Sequence, residues 1–187
     1  MADTPHTAAS PVTWEQYAAM PDDGNRYEVV GGELRMSPAP KVLHQIVVAQ
    51  FTAVLTSLVR EHGLGIVVCA PTDVILSDTD IVQPDVLFVR KDRLAIIGDQ
   101  VRGAPDLVVE VLSQSTRKRD MTEKLALYAT HGVGHYWIVN PDDRVLIVYR
   151  LSGDSYERIA VYQGADQFQS DLFADATLDL SRVWSEL

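Results

Sequence analysis

A single cysteine, Cys69, stands in a chain of 187 residues. One thiol can form no internal disulfide and no cysteine-based zinc centre; it is expected to be a small buried residue. Long hydrophobic runs are missing as well. No uninterrupted apolar stretch approaches the roughly 20 residues that cross a bilayer, so no membrane span is expected. The opening MADTPHTAASP has no basic segment followed by an apolar one, which argues against a secretory leader and reads as a loose polar tail over 1–11. Together these features favour a cytoplasmic location. Basic residues are scarce too: 16 Lys and Arg face 26 Asp and Glu, a net charge of −10. That argues against a broad basic surface for nucleic acid. There is no glycine-rich phosphate loop and no histidine-rich metal motif. No Gly-x-Ser-x-Gly elbow surrounds Ser113 or Ser115.

What remains is ordinary for one globular domain, here taken as 12–187: 47% hydrophobic and 22% charged residues. The charge is unevenly placed. Asp85 to Lys124 carries eight basic and seven acidic residues, whereas the other 147 residues carry eight and nineteen. The positive charge gathers around DLVVEVLSQSTRKRD (106–120).

The hydrophobic pattern gives the elements. Thr13 and Gln16 fit a capping box for a short helix. RYEVVGGELRM (26–36) reads as a hairpin turning at Gly31-Gly32. Leu43, Val47, Phe51, Val54, Leu55 and Leu58 form the stripe of a helix from Lys41 to His62. GIVVCAPTDVIL and IVQPDVLFV read as two strands joined through SDTD, and 90–105 as a mixed connection. DLVVEVL, apolar on both faces, is expected at the centre of a sheet. A helix over 119–131 follows, with Met121, Leu125 and Tyr128 on one side. HYWIVN and RVLIVYR form a second hairpin, YERIAVY a strand, and TLDLSRVWSEL a short terminal helix. The whole is expected to build one mixed sheet.

Two strands hold a carboxylate where an apolar residue is expected: Asp85 in IVQPDVLFV and Glu110 in DLVVEVL. A buried unpaired carboxylate costs several kcal/mol, so it needs a partner, a proton or a metal. Adjacent strands lie about 4.8 Å apart, so both acids could reach one hard cation, and oxygen ligation completed by water suits Mg²⁺. Asp106, roughly 13 Å along the strand from Glu110, is too far to share that ion. The competing reading places each acid at a strand end, facing water.

QPDVLFV and VVEVLSQST resemble the Pro-Asp…(Asp/Glu)-x-Lys pattern of restriction-endonuclease-like nucleases. More closely, YEVVGGEL, HQIVVAQ, QPDVLFV, APDLVVEVLSQSTRKRD, EKLALYATHGVGHYWIVNP and VLIVYRL resemble, in order, the bacterial Uma-two family of endonucleases, over about residues 26–151. The resemblance implies an α/β fold: a restriction-endonuclease-like mixed β-sheet flanked by helices, here with additional C-terminal hairpin strands. It also implies Mg²⁺ (or Mn²⁺) at Asp85 and Glu110, with a lysine assisting hydrolysis of DNA phosphodiester bonds. The usual lysine position, two residues after the acid, is Leu112. Lys124 is the substitute that the resemblance points to, and Asp120, four residues earlier, is placed to orient it. His44 and Glu28 are auxiliary candidates: each reads by itself as a core histidine and a solvent-facing hairpin charge, while the resemblance turns His44 toward the site. Arg117, Lys118 and Arg119 would supply phosphate contacts, or form a solvated basic loop. The acidic balance implies weak DNA binding, assisted by a partner or by homodimerisation through YWIVNPDDRVLIVY, read as an exposed apolar hairpin. Because Leu112 replaces the usual lysine, a catalytically inactive binding or regulatory module is the alternative. A hydrolase of small phosphoesters ranks third.

Overall fold

The computed structural model describes residues 10–173, 176–185 and 187. The tail expected over 1–11 therefore lies outside the described residues up to position 9. Beyond it, the Val12 N–H donates to the Gly32 carbonyl at 2.8 Å.

Helix α1 (Trp14–Ala18) starts at the expected capping box, with Thr13 accepting from the Gln16 N–H and Gln16 answering the Thr13 N–H. Strands β1 (Arg26–Val30) and β2 (Glu33–Ser37) form the hairpin, and α2 (Val42–Glu61) follows. Then come β3 (Gly65–Cys69), β4 (Val74–Ser77), β5 (Asp80–Val82) and β6 (Val86–Arg90). After a 3₁₀ turn (Lys91–Ile96) the chain forms β7 (Val101–Arg102) and β8 (Leu107–Val111). Helices α3 (Arg117–Met121) and α4 (Glu123–Thr130) lead to β9 (His135–Asn140), β10 (Val145–Ser152) and β11 (Ser155–Gln163). A small hairpin, β12 (Gln167–Gln169) with β13 (Thr177–Asp179), ends the fold.

The expectation of one sheet is corrected: the strands form a five-stranded sheet β2-β1-β5-β4-β7, a six-stranded sheet β11-β10-β9-β8-β6-β3 and the β12-β13 hairpin. Both long strands expected between 65 and 90 contain a proline, Pro71 and Pro84, which has no N–H for the ladder. At each of them the chain leaves one sheet for the other. Strand β8 is central as expected, antiparallel to β6 and parallel to β9, with all five residues buried. Its alternation splits the core. Val109 and Val111 join Phe51, Val47 and Trp137 beneath α2, whereas Val108 and Leu112 join Tyr128 and Tyr136 on the α4 side.

Helix α2 is long and apolar enough, by length and composition alone, to cross a membrane. Here its stripe is buried against the sheet, and only Leu43 of the six expected stripe residues lies outside the core.

Four more expectations are corrected. Cys69 is exposed, because it ends an edge strand. The helix expected over 119–131 breaks at Thr122, whose ψ of −71° at φ −130° is not helical. The terminal helix is instead β13 and a 3₁₀ turn (Leu180–Arg182), because Leu178, Leu180, Val183 and Trp184 are drawn into the core. The hairpin read as an exposed dimer surface is interior: five of the six β9 residues are buried, and β11 covers the other edge of β10.

At the start of β3 the backbone meets its neighbour closely. A Cβ on Gly65 would lie 2.1 Å from the Val89 carbonyl oxygen, in a backbone with φ +156°. Gly65→Ala is therefore expected to destabilise the fold by about 1–3 kcal/mol in urea denaturation. Gly63→Ala, at φ +61° in open space, should cost only the left-handed conformation, about 1 kcal/mol.

Candidate active site

The segment Gln83-Pro84-Asp85 crosses from one sheet to the other, and its corner delivers Asp85. Val86 pairs with Val109 and Leu87 with Val108, so the same antiparallel register sets Asp85 opposite Glu110. Asp85 Oδ2 accepts the Val111 N–H at 2.8 Å and lies 3.2 Å from His44 Nε2 in the first turn of α2. His44 is thus not a plain core histidine.

Glu110 points to the α4 side, like Val108 and Leu112. Leu112 packs into the core, and no cation stands there. Lys124 on α4 supplies one instead. Its Nζ donates to Glu110 Oε1 at 2.8 Å and pairs with Glu28 Oε1 at 2.9 Å. Tyr128, one turn further along α4, donates its hydroxyl to the same Glu110 oxygen at 2.9 Å. Glu28 comes from β1 in the other sheet, where it is buried rather than solvent-facing. It also accepts the Gln83 N–H at 3.0 Å, and its Oε2 lies 3.1 Å from an Arg119 Nη2.

The basic run divides. Arg119 turns into the cleft, whereas Arg117 and Lys118 are exposed and do not line it. Asp120 is buried and lines the cleft, and its Oδ1 has no hydrogen-bond partner. The expectation that Asp120 orients Lys124 across one helical turn is corrected: the break at Thr122 puts them on separate helices, and no ion pair joins them. Asp106 sits apart, as expected, accepting the Arg90 N–H and pairing with Arg93.

These side chains floor a cleft of about 320 Å³, walled by 37–41 and 113–116. Burial is the largest influence on Glu110, Glu28, Lys124, Asp120 and His44. It raises Glu110; Lys124 opposes this, but Asp85, Asp120 and Glu28 add to it, and the carboxyl is pushed up to about 8. Burial also raises Glu28, yet Lys124 and Arg119 outweigh it and hold this acid below its usual range. One ammonium thus serves two acids, and Glu28, which also has Arg119, is the one kept ionised. Burial alone would lower Lys124, but Glu110, Glu28 and Asp120 raise it, so it stays an ammonium. Asp120 is raised by burial despite Lys124 and Arg119. Burial lowers His44, but its hydrogen bond to Asp85 and that charge win, and the net shift is upward.

The donor set suits a hard cation. Among the described residues no three or more His, Cys, Asp and Glu side chains form a metal cage. Asp85 and Glu110 nevertheless each keep one oxygen, Oδ1 and Oε2, that no protein donor contacts among the described residues. Fully ionised, the four acids outnumber Lys124 and Arg119 by two charges, a deficit that one divalent ion offsets. Two carboxylates with water completing the shell is how Mg²⁺ is commonly held.

Residues 14–181 match the family model described as "Uma2: Putative restriction endonuclease". The chain belongs to the Uma2 family. A crystal structure from Anabaena variabilis, titled a "putative nuclease belonging to DUF820", superposes with a TM-score of 0.76 and 20% identity, covering 94% of this chain and 98% of that one. At that identity the likeness establishes the fold, which is the α/β restriction-endonuclease-like fold expected from the sequence. A comparison with curated proteins gave no match. Membership in Uma2 supports a nuclease function.

Two residues hydrogen-bonded to these acids escaped the sequence reading. Tyr128 was read only as part of an apolar helix face, although its spacing of four from Lys124 places both on one side of α4. Gln83, adjoining the Pro-Asp pair, was not singled out. Its side chain receives Arg26 and donates to Asp73, fixing the segment that carries Asp85.

Because Glu110 binds its proton more tightly in the folded chain than in the unfolded one, stability falls as pH rises from about 4.5 toward 8. Lys124→Met removes the cation that moderates this effect. The variant is expected to lose about 3–5 kcal/mol at pH 8, where Glu28 stays ionised and keeps Arg119 alone, and less at pH 5, where Glu28, no longer held low by Lys124, can take up a proton. Urea denaturation at the two pH values measures the difference.

Proposed function

We propose that this chain is a divalent-metal-dependent endonuclease that hydrolyses phosphodiester bonds in DNA. The observation that carries the reading is the Lys124 ammonium held 2.8 Å from Glu110, beside Asp85, in an open cleft. It stands in for the lysine that the strand lacks at Leu112, which was the main support for an inactive module.

Asp85 and Glu110 would hold Mg²⁺ or Mn²⁺ through their uncontacted oxygens. Such an ion, when bound, polarises a phosphoryl oxygen and lowers the pKa of water. The remaining steps belong to the side chains. Lys124 stays protonated, so it is not the base; it donates hydrogen bonds and offsets negative charge as it builds on the phosphoryl group. Glu28 and Tyr128 hold it and its partner in place. Arg119 is the guanidinium inside the cleft that a substrate phosphate would meet. Asp120, with Oδ1 unpartnered and its basicity raised, is the acceptor suited to the proton of the attacking water.

The test joins binding and turnover. Wild type is expected to bind Mg²⁺ in calorimetry and to nick supercoiled plasmid, whereas Asp85→Ala and Glu110→Ala lose both. Lys124→Gln and Asp120→Asn should still bind the ion while cleaving about 10²-fold more slowly or worse. Wild type that ignores both Mg²⁺ and Mn²⁺ would end the proposal. Hydrolysis of a chromogenic phosphodiester without cleavage of DNA would move it to small esters.

A further inference from the structure

Resting on the nuclease reading, we infer that the cleft admits a single DNA strand, or an unpaired stretch of one, and excludes intact duplex. Three observations converge. The first is depth. Glu110 and Lys124 are only 3% and 2% exposed, on the floor of a cleft of about 320 Å³. That volume is at the low end for a small-ligand pocket. A double helix, whose major groove alone is about 12 Å wide, presents its phosphates on a broad convex surface. To bring one of them to the floor, both walls would have to enter its grooves.

The second observation concerns those walls. They are the 38–41 connection into α2 and the 113–116 connection out of β8. Lys41 Nζ donates to Gln114 Oε1 at 3.4 Å, joining the two across the cleft rim. A flexible strand can pass beneath such a strap. A rigid duplex cannot.

The third is charge. Among the described residues, four basic and four acidic side chains line the cleft, against sixteen and twenty-six in the chain, which leaves twelve basic and twenty-two acidic groups beyond them. A duplex laid over that exterior meets repulsion on either side of the opening, whereas Arg26, Lys41 and Arg119 at the cleft offer positive charge for two or three phosphates. Among the described residues no Phe, Tyr or Trp lines the cleft, so they offer no base stacking there, the usual source of single-strand affinity. Binding then rests on the backbone and carries no sequence preference.

The experiment uses the full chain and oligonucleotides of one sequence, single-stranded or annealed, in fluorescence anisotropy with Ca²⁺. Cleavage of the same DNAs, plus a duplex with an unpaired bubble, is followed with Mg²⁺. The expected result is at least tenfold tighter binding of the single strand. Its log affinity should fall with log salt at a slope of about −1.4 to −2, two or three phosphates at roughly −0.7 each. Cleavage should be confined to the single strand and the bubble. Gln114→Gly, which removes the strap but keeps Lys41, should bring the binding ratio to within about threefold.

Duplex bound as tightly as single strand, or no affinity for either, overturns the inference. So does linear duplex cut as fast as single strand, which leaves the nuclease reading standing. Preference for the single strand without cleavage of any DNA does the reverse: it removes the nuclease reading and keeps the cleft's selectivity. An unchanged ratio in Gln114→Gly overturns the role of the strap.

Discussion

One ammonium shared by two buried carboxylates organises this molecule. Lys124 lies between Glu28 of the five-stranded sheet and Glu110 of the six-stranded sheet. Removing two ions from water costs several kcal/mol each, and their attraction repays this only when the remaining hydrogen bonds are satisfied. Here the satisfaction is uneven. Glu28 has Arg119 and the Gln83 N–H as well, while Glu110, among the described residues, has only Lys124 and Tyr128 and stands among three other acids. Apolar residues of similar volume, such as neighbouring Leu112, would serve stability as well or better. The imbalance is what leaves Glu110 able to take a further positive charge.

The same cluster depends on how the sheets are joined. Gln83, Pro84 and Asp85 lead from β5 to β6, and each end of this segment is fastened to a different sheet. Gln83 is tied to Glu28 through its N–H and to Asp73 and Arg26 through its amide. Asp85 accepts the Val111 N–H at the end of β8. A shift of one sheet against the other would therefore separate Glu28 from Glu110 and Asp85 from His44 together. Tyr17 on α1 adds to this anchoring, donating to the same Asp73 oxygen that Gln83 uses. The N-terminal helix, far from the acids in sequence, is tied through that oxygen to the geometry of the cleft.

The pairing of Asp85 with Glu110 was legible because two acids stood in strands that should have been wholly apolar. Strand spacing did the rest. Glu28 was only an auxiliary candidate, since a charge in a hairpin ordinarily faces solvent, and it is the second sheet folding over α4 that buries it. Lys124 was reached through the resemblance and through an i to i+4 argument from Asp120; the structure sets it against Glu110, but the spacing argument fails because the helix breaks at Thr122. The division into two sheets stayed hidden because Pro71 and Pro84 sit within apolar runs that otherwise read as continuous strands. At the C-terminus, local periodicity suggested a helix where burial of Trp184 and Leu180 against α2 decided otherwise. In each miss a tertiary contact overrode a local pattern.

If the chain acts on a polyanion, as proposed, its acidic balance requires the positive charge to stand in one place. The cleft contains four basic and four acidic side chains, so with every acid ionised and His44 neutral it is electrically balanced, and nothing in it outweighs the net −10 of the whole. A divalent ion held at Asp85 and Glu110, as proposed, would shift that local balance to two positive charges, in a low-dielectric recess where they act strongly. Attraction for a phosphate then depends on the ion and stays within the recess, since the exterior repels. Arg119 illustrates the arrangement. Its guanidinium is held by Glu28, but its Nε is buried without a partner, an unfilled donor whose natural complement is an acceptor oxygen brought into the cleft.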